Sequence, residues 1–231
     1  MLIFSALLAA SSNRFRASPV LHRTAGLVAS AASRTSRKLT LQDSTDTLAL
    51  GARLAEVCQP GDVVLLHGDY GAGKTCLARG FIRRWYADPS ELVTSPSYLI
   101  DNAYDDPERR ALRPGVTVHH MDLWRLPEGK VQQLVDLPKV FSECVSLIEW
   151  PDKLGSDLMP SEYLDIDLCI LDGGGEEDGE EARAAEAAQA EAEEDEDEDE
   201  DEEQPRVATI TARGKQWEER LAVIAAGGAA S

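Results

Sequence analysis

A three-layer α/β sandwich around a small, mostly parallel sheet is the fold class this sequence predicts, on three observations. The run Val63-Val64-Leu65-Leu66 follows a Pro60-Gly61 turn and is too uniformly apolar for a strand with one wet face, so it reads as a parallel strand covered on both sides. Directly after it stands Gly68-Asp69-Tyr70-Gly71-Ala72-Gly73-Lys74-Thr75, which satisfies G-x-x-x-x-G-K-[ST] at every required position. The next segment, Cys76 to Tyr86, places Leu77, Phe81, Ile82 and Trp85 on one helical face. Strand, glycine loop and amphipathic helix in that order make up the phosphate-binding unit of a P-loop NTPase-like protein.

The remaining elements follow in chain order. Residues 1–38 hold six Lys/Arg, many Ser and Ala, and no acid. That composition predicts an organelle transit peptide addressed to a mitochondrion or plastid, with Leu2 to Ala10 as a short apolar run inside it. A core over residues 39–172 then begins with a helix. Asp43 and Ser44 are capping residues, Asp46 puts negative charge in the first turn, and Leu50, Leu54 and Val57 repeat at i, i+4 and i+7 up to about Cys58. Val116 to Met121 reads as a strand ending in Asp122, and Val145 to Ile148 as a stronger one ending in Glu149. Tyr163 to Leu171 alternates apolar and polar residues as a half-exposed strand does, and so does Val207 to Thr211. Residues 206–231 complete the core with that strand and a short helix over Trp217 to Ile224.

Between those last two strands, residues 173–205 carry eighteen Asp/Glu against one Arg, including an unbroken run of acids from Glu193 to Glu203. Like charges at this density repel and stay solvated, which predicts a disordered acidic insertion with an Ala/Glu helix between Glu180 and Glu194. A long surface loop costs little closure entropy, so the insertion is either inert or a polyanionic arm for a basic partner. Over the 231 residues the formal net charge is −19, which argues against binding nucleic acid by phosphate neutralisation alone. Hydrophobic residues make up 43% of the chain, enough to build a core, but no apolar stretch is long enough to span a membrane. Cys58, Cys76, Cys144 and Cys169 form no CxxC pair and read as small buried hydrophobes in a reducing compartment.

The chemistry follows from the loop. A polyphosphate must be met by several backbone N–H groups at once, and Gly68, Gly71 and Gly73 let the chain curl tightly enough to aim them inward. Asp69, Tyr70, Ala72 and Cys76 supply the remaining amides, with the helix start turning its positive end to the same anion. Lys74 is placed to reach the β- and γ-phosphates, and the Thr75 hydroxyl to ligate Mg²⁺. Acids at strand ends near such a loop hold the metal or orient water, which selects Asp122 and Glu149. Thr94-Ser95-Pro96-Ser97-Tyr98 is a hydroxyl-rich loop that reads as a surface turn or as a γ-phosphate switch. His119 and His120 have no further ligand at metal spacing and read as strand residues.

Four blocks in register resemble one family, the bacterial TsaE (YjeE) ATPases, which assist synthesis of threonylcarbamoyladenosine in transfer RNA. They are Gly68 to Thr75, Thr94 to Tyr98, His120-Met-Asp-Leu-Trp-Arg-Leu126 and Leu147-Ile-Glu-Trp-Pro151. The resemblance implies a small mixed sheet, with the two C-terminal strands paired antiparallel across the insertion. It also implies Mg²⁺-ATP as the bound species, slow hydrolysis without partners, and partners similar to TsaD and TsaB, with transfer RNA reached only through them. By the same resemblance Thr75 and Glu149 ligate Mg²⁺, Asp122 is the functional acid of its block, and Trp150 lies beside the nucleotide; the residues themselves assign catalysis to Lys74, which binds the phosphates, and to Asp122 or Glu149, which positions the nucleophile. The chain departs from the family at Ser97 (usually Thr), Trp124 (usually Tyr) and Cys76 (often Thr). It departs again over Pro127 to Phe141, where Gly129 and Pro138 interrupt an acidic helix. Two other readings stand beside this one. A P-loop small-molecule kinase requires an acceptor pocket and an arginine-bearing lid that the sequence does not display, and an acidic, non-enzymatic binding protein leaves the complete P-loop without a purpose.

Overall fold

The computed structural model describes residues 34–171 and 204–226. In chain order the elements are β1 (Arg34–Leu41), α1 (Ser44–Val57), β2 (Val63–His67), α2 (Lys74–Trp85), β3 (Asp101–Tyr104), β4 (Val118–Asp122), α3 (Leu137–Glu143), β5 (Val145–Glu149), β6 (Tyr163–Ile170), β7 (Arg206–Arg213) and α4 (Lys215–Ala226). They build one seven-stranded sheet in the order β1-β7-β6-β2-β5-β4-β3. The middle strands β6, β2, β5 and β4 are mutually parallel, while β3, β7 and β1 are added antiparallel at the two sides. The expected mixed, mostly parallel core sheet is therefore the one found.

Alternation along β2 explains the uniformly apolar run. Val64 and Leu66 pack into a core with α1, α2 and α4, where Leu50, Leu54, Phe81, Trp85 and Trp217 are fully buried. Val63 and Leu65 pack into the opposite core with Met121, Ile148 and Val140 of α3. Two cores on two faces of one sheet are the three layers the sequence predicts.

α1 begins as its capping residues require, with the Asp43 carboxylate accepting from the Asp46 N–H at 2.9 Å. It crosses α2 at backbone distance. An ideal Cβ on Gly51 lies 2.0 Å from the Leu77 carbonyl oxygen, and one on Gly80 lies 2.2 Å from that of Leu48. α3 carries Pro138 in its first turn, where a missing N–H costs nothing, so this proline starts a helix that the sequence reading treats as interrupted.

Two expectations are corrected. The strand β1 starts at Arg34 and pairs with β7 from Arg34↔Arg213 to Leu41↔Arg206, so residues 34–38, set outside the fold above, are part of the sheet. Their Arg and Lys are compatible with a strand because this is the outermost one, with Ser36, Arg37 and Lys38 exposed. Pro205, assigned above to the insertion, already accepts a hydrogen bond from the Leu171 N–H at 2.8 Å. It closes the β6–β7 pair that the resemblance implies, Tyr163↔Arg213 through Ile170↔Arg206. The edge strand β3 has no counterpart in the sequence reading, since its four residues are too few and too polar to show a period. Residues 1–33, expected above to form most of a transit peptide, and the acidic run lie outside the described residues. Among the described residues no helix is long and apolar enough to cross a membrane.

α4 is tied to the sheet by Arg220, whose guanidinium forks onto Asp62 beside β2, with Nη2 donating to Oδ1 at 2.9 Å. Asp62 is buried and also accepts from the Gln59 N–H. Removing the cation strands a buried carboxylate, so Arg220→Ala is expected to lose about 2 kcal/mol in denaturant unfolding, below the about 3–5 kcal/mol of a fully buried pair because the arginine keeps some water contact. A loss below about 0.5 kcal/mol would show that solvent already satisfies Asp62.

Candidate functional site

β2, β4 and β5 end side by side. Parallel register sets Leu66 opposite Glu149 and Glu149 opposite Asp122, so the loop after β2 and both strand-end acids meet at the carboxyl edge of the sheet. The loop is shaped by its glycines: Gly68, Gly71 and Gly73 have φ of +135°, +71° and +96°. A side chain at Gly68 is also barred by space, because its Cβ would sit 2.5 Å from the Leu168 carbonyl oxygen. Gly73 caps α2 in the left-handed region, leaving the first-turn N–H groups of α2 at the mouth of the loop. Tyr70 is exposed on the loop, while the Cys76 side chain turns inward toward the Ser44 carbonyl at 3.7 Å, so only its backbone amide can serve an anion.

Lys74 is buried and folds back over its own loop. Its Nζ donates to the carbonyls of Gly68 (2.9 Å) and Asp69 (2.7 Å) and stands 4.1 Å from the centre of the Trp150 ring. Burial pushes its pKa down from the ordinary lysine value, while the charges of Glu149, Asp122 and Asp69 pull it back up. Thr75 Oγ1 donates to Glu149 Oε1 at 2.9 Å. The Asp122 carboxylate accepts from Ser95 Oγ at 2.7 Å and from the Trp124 N–H at 2.9 Å. Burial raises the Asp122 pKa above the ordinary aspartate value and the charge of Glu149 adds to the rise, against those two hydrogen bonds. Trp150 has φ +56°, and its ring, which faces Lys74, lies tilted 43° against Trp124 at 4.3 Å.

The residues suit both groups the sequence expects. Glycine amides, a helix start and a desolvated lysine match a polyphosphate. A threonine hydroxyl beside carboxylate oxygens is a hard donor set of the kind Mg²⁺ takes, with phosphate and water supplying the rest. Among the described residues no three His, Cys, Asp or Glu side chains converge on a metal position. The cluster is therefore short of donors unless a phosphate shares the ion.

Every candidate from the sequence thus falls at one sheet edge: the loop from Gly68 to Thr75, Lys74, Asp122, Glu149 and Trp150. The hydroxyl-rich loop joins them through Ser95 and not through Ser97. Sequence reasoning missed two neighbours. His120, read as a strand residue, is fully buried with Nε2 2.8 Å from Glu149 Oε1. Arg206, buried at the start of β7, lies against Gly73 behind the loop. His120 had a usable signal, since it sits two residues from Asp122 and so shares its face of the strand. Arg206 had none, because its approach to Gly73 depends on a strand far along the chain.

His67, the last residue of β2, sits beside the site with Nε2 2.8 Å from Asp165 Oδ1. Burial disfavours its charged form, but the hydrogen bond to Asp165 and the charges of Asp165, Asp152 and Asp167 outweigh that and raise its pKa. A raised histidine pKa contributes stability that is whole below the unfolded value and lost as pH rises through the folded one. Wild-type thermal stability is therefore expected to fall relative to His67→Gln as pH is raised above about 6.5. Parallel pH curves would contradict the ion pair.

A glycine-rich phosphate loop on a doubly covered parallel sheet, with hydroxyl and carboxylates at the adjacent strand ends, defines a protein of the P-loop NTPase-like class. The model of the family "Threonylcarbamoyl adenosine biosynthesis protein TsaE" matches residues 41–175. Curated relatives bearing the name tRNA threonylcarbamoyladenosine biosynthesis protein TsaE include that of Mycobacterium tuberculosis, 34% identical over 136 residues (56% of this chain, 76% of the relative). Those of Nostoc sp. (32% over 143 residues, 59% and 80%) and Rickettsia bellii (27% over 132 residues, 57% and 85%) are similar in the same way. Among solved structures, Bacillus subtilis YdiB superposes with a TM-score of 0.56 at 22% identity, covering 84% of this chain and 97% of that one, which supports the fold. The chain belongs to the TsaE family.

Proposed function

We propose that this protein binds and hydrolyses Mg²⁺-ATP and thereby serves threonylcarbamoyl modification of adenosine in transfer RNA. In this reading it acts with TsaD-like and TsaB-like partners inside an organelle, mitochondrion or plastid. Family membership supports the pathway. The single observation that carries the chemistry is the hydrogen-bonded set Thr75–Glu149 beside Lys74 and Asp122 at the mouth of a glycine loop.

The loop amides and Lys74 bind and orient the phosphates, exchanging the lysine's contacts to Gly68 and Asp69 for anionic oxygens that bind an ammonium more strongly. Thr75 and Glu149 hold Mg²⁺, which when bound neutralises charge developing on the phosphates. Asp122 keeps one fixed orientation through Ser95 and the Trp124 amide, and its raised pKa makes the carboxylate a better proton acceptor from water. The Trp150 ring over Lys74 limits solvent there, which strengthens every charge interaction of the ammonium.

Asp122→Asn is expected to lower turnover by about 10²-fold while leaving nucleotide affinity within about twofold, read by phosphate release and calorimetry. Equal turnover in that variant would remove Asp122 from the mechanism. Labelled γ-phosphate released as free phosphate supports the ATPase, and label on a metabolite would favour a kinase. Co-purification of a TsaD-like protein from the organelle in the presence of Mg²⁺-ATP tests the pathway, and a preparation carrying no such partner counts against it.

A further inference from the structure

We propose that His120 is a positioning residue that holds the Glu149 carboxylate against Thr75 and so prepares the hydroxyl for the metal. His120 is completely buried in β4, between the sheet and α2. Its Nε2 lies 2.8 Å from Glu149 Oε1, the same oxygen that accepts from Thr75 Oγ1 at 2.9 Å. Register explains the reach: His120 stands opposite Leu147, two residues before Glu149, and diagonal neighbours on one face are within range of long side chains.

The geometry also sets the tautomer. A carboxylate oxygen that accepts from Thr75 accepts from His120 as well, so the imidazole carries its proton on Nε2. His120 Nδ1 is then a bare acceptor, and it is buried with no hydrogen-bond partner among the described residues. A buried polar atom left unpaired weakens the fold, and Val118 on the same face shows that an aliphatic side chain suits this core. The imidazole is costly where it stands, and among the described residues its hydrogen-bond partner is Glu149. With its proton committed to Glu149, the Thr75 hydroxyl has only lone pairs left to offer, which is the form in which a hydroxyl ligates a cation. This second layer of contact acts as outer-sphere partners do at other metal sites, by fixing the orientation of an inner group.

The inference rests on the Mg²⁺-nucleotide reading above, and the test separates the two. Calorimetry measures ATP affinity with Mg²⁺ and with chelator for the wild type, His120→Leu, His120→Gln and His120→Asn. Expected is a Mg²⁺-dependent gain in affinity that falls by about tenfold or more in the Leu and Asn variants, with chelated affinity unchanged. Gln, whose amide N–H reaches the Nε2 position, retains most of the gain. His120→Leu is expected to melt at or above the wild-type temperature, and should it fail to fold, the Gln and Asn pair decides. An undiminished Mg²⁺ gain in His120→Leu, or equal losses in Gln and Asn, overturns the positioning role and leaves the nucleotide reading intact. A wild type that shows no Mg²⁺-dependent ATP binding overturns both. Independently of any ligand, imidazole ¹⁵N spectra of the free protein should show His120 protonated at Nε2 and bare at Nδ1, and the opposite tautomer would overturn the inference.

Discussion

Lys74→Ala is expected to abolish ATP turnover, with kcat/KM reduced by at least about 10²-fold and the melting temperature nearly unchanged. The catalytic loss follows from what the lysine offers: a cation desolvated beneath Trp150 and held at the loop mouth, where charge on a phosphate has few competing water contacts. The stability effect is small because the two carbonyls it releases lie at the rim of the loop, where Asp69 and Tyr70 are already exposed and water can replace the ammonium. Lys74→Arg is not expected to rescue, since a planar guanidinium does not fit the space between two loop carbonyls and an indole face. Steady-state phosphate release and thermal melting measure the two effects. Turnover within tenfold of the wild type in the alanine variant would remove the phosphate loop from the chemistry.

Gly51→Ala is expected to show the largest loss of stability for a single added methyl, about 2 kcal/mol or more, or a melting temperature lower by about 4–8 °C. On an isolated helix this change is favourable by about 1 kcal/mol, so the sign is decided by tertiary contact. The new Cβ meets the Leu77 carbonyl oxygen at 2.0 Å and the Phe81 nitrogen at 2.8 Å, both backbone atoms of α2 that cannot rotate away. α1 must therefore separate from the helix whose first turn carries Lys74 and Thr75, and nucleotide affinity should fall together with stability. Gly115→Ala is the control. It is the converse case, a glycine at φ +79° with open space around it, so its substitution carries backbone strain without a clash and should cost only about 1–2 kcal/mol and leave binding untouched. A Gly51→Ala variant as stable as the wild type, with unchanged nucleotide affinity, would mean that the two helices do not meet at this position.

Much of the site is legible in the sequence because its parts are local. The glycine loop needs only its own residues to curl, and Asp122 and Glu149 announce themselves as acids ending apolar strands. What the sequence reading lacks is set by pairs distant along the chain. Arg34 to Lys38 have the composition of a leader, yet they become a strand once β7 supplies hydrogen-bond partners, since an edge strand exposes its charged residues to solvent without cost. His120 shows no metal spacing, and its partner Glu149 comes within reach only when β4 and β5 align in parallel. Ser95 finds Asp122 for the same reason.

By itself, the sequence determined the phosphate loop, the buried strand before it, the helix after it and the order of the blocks that place the chain in its family. Each is a short-range pattern of glycine freedom or hydrophobic period, readable without knowing what packs against it. Only the tertiary structure decided which oxygen Thr75 and His120 share, which backbones meet at Gly51 and Gly80, and where the first strand begins. Those outcomes depend on strand register and helix crossing, which long-range packing selects and no local pattern encodes.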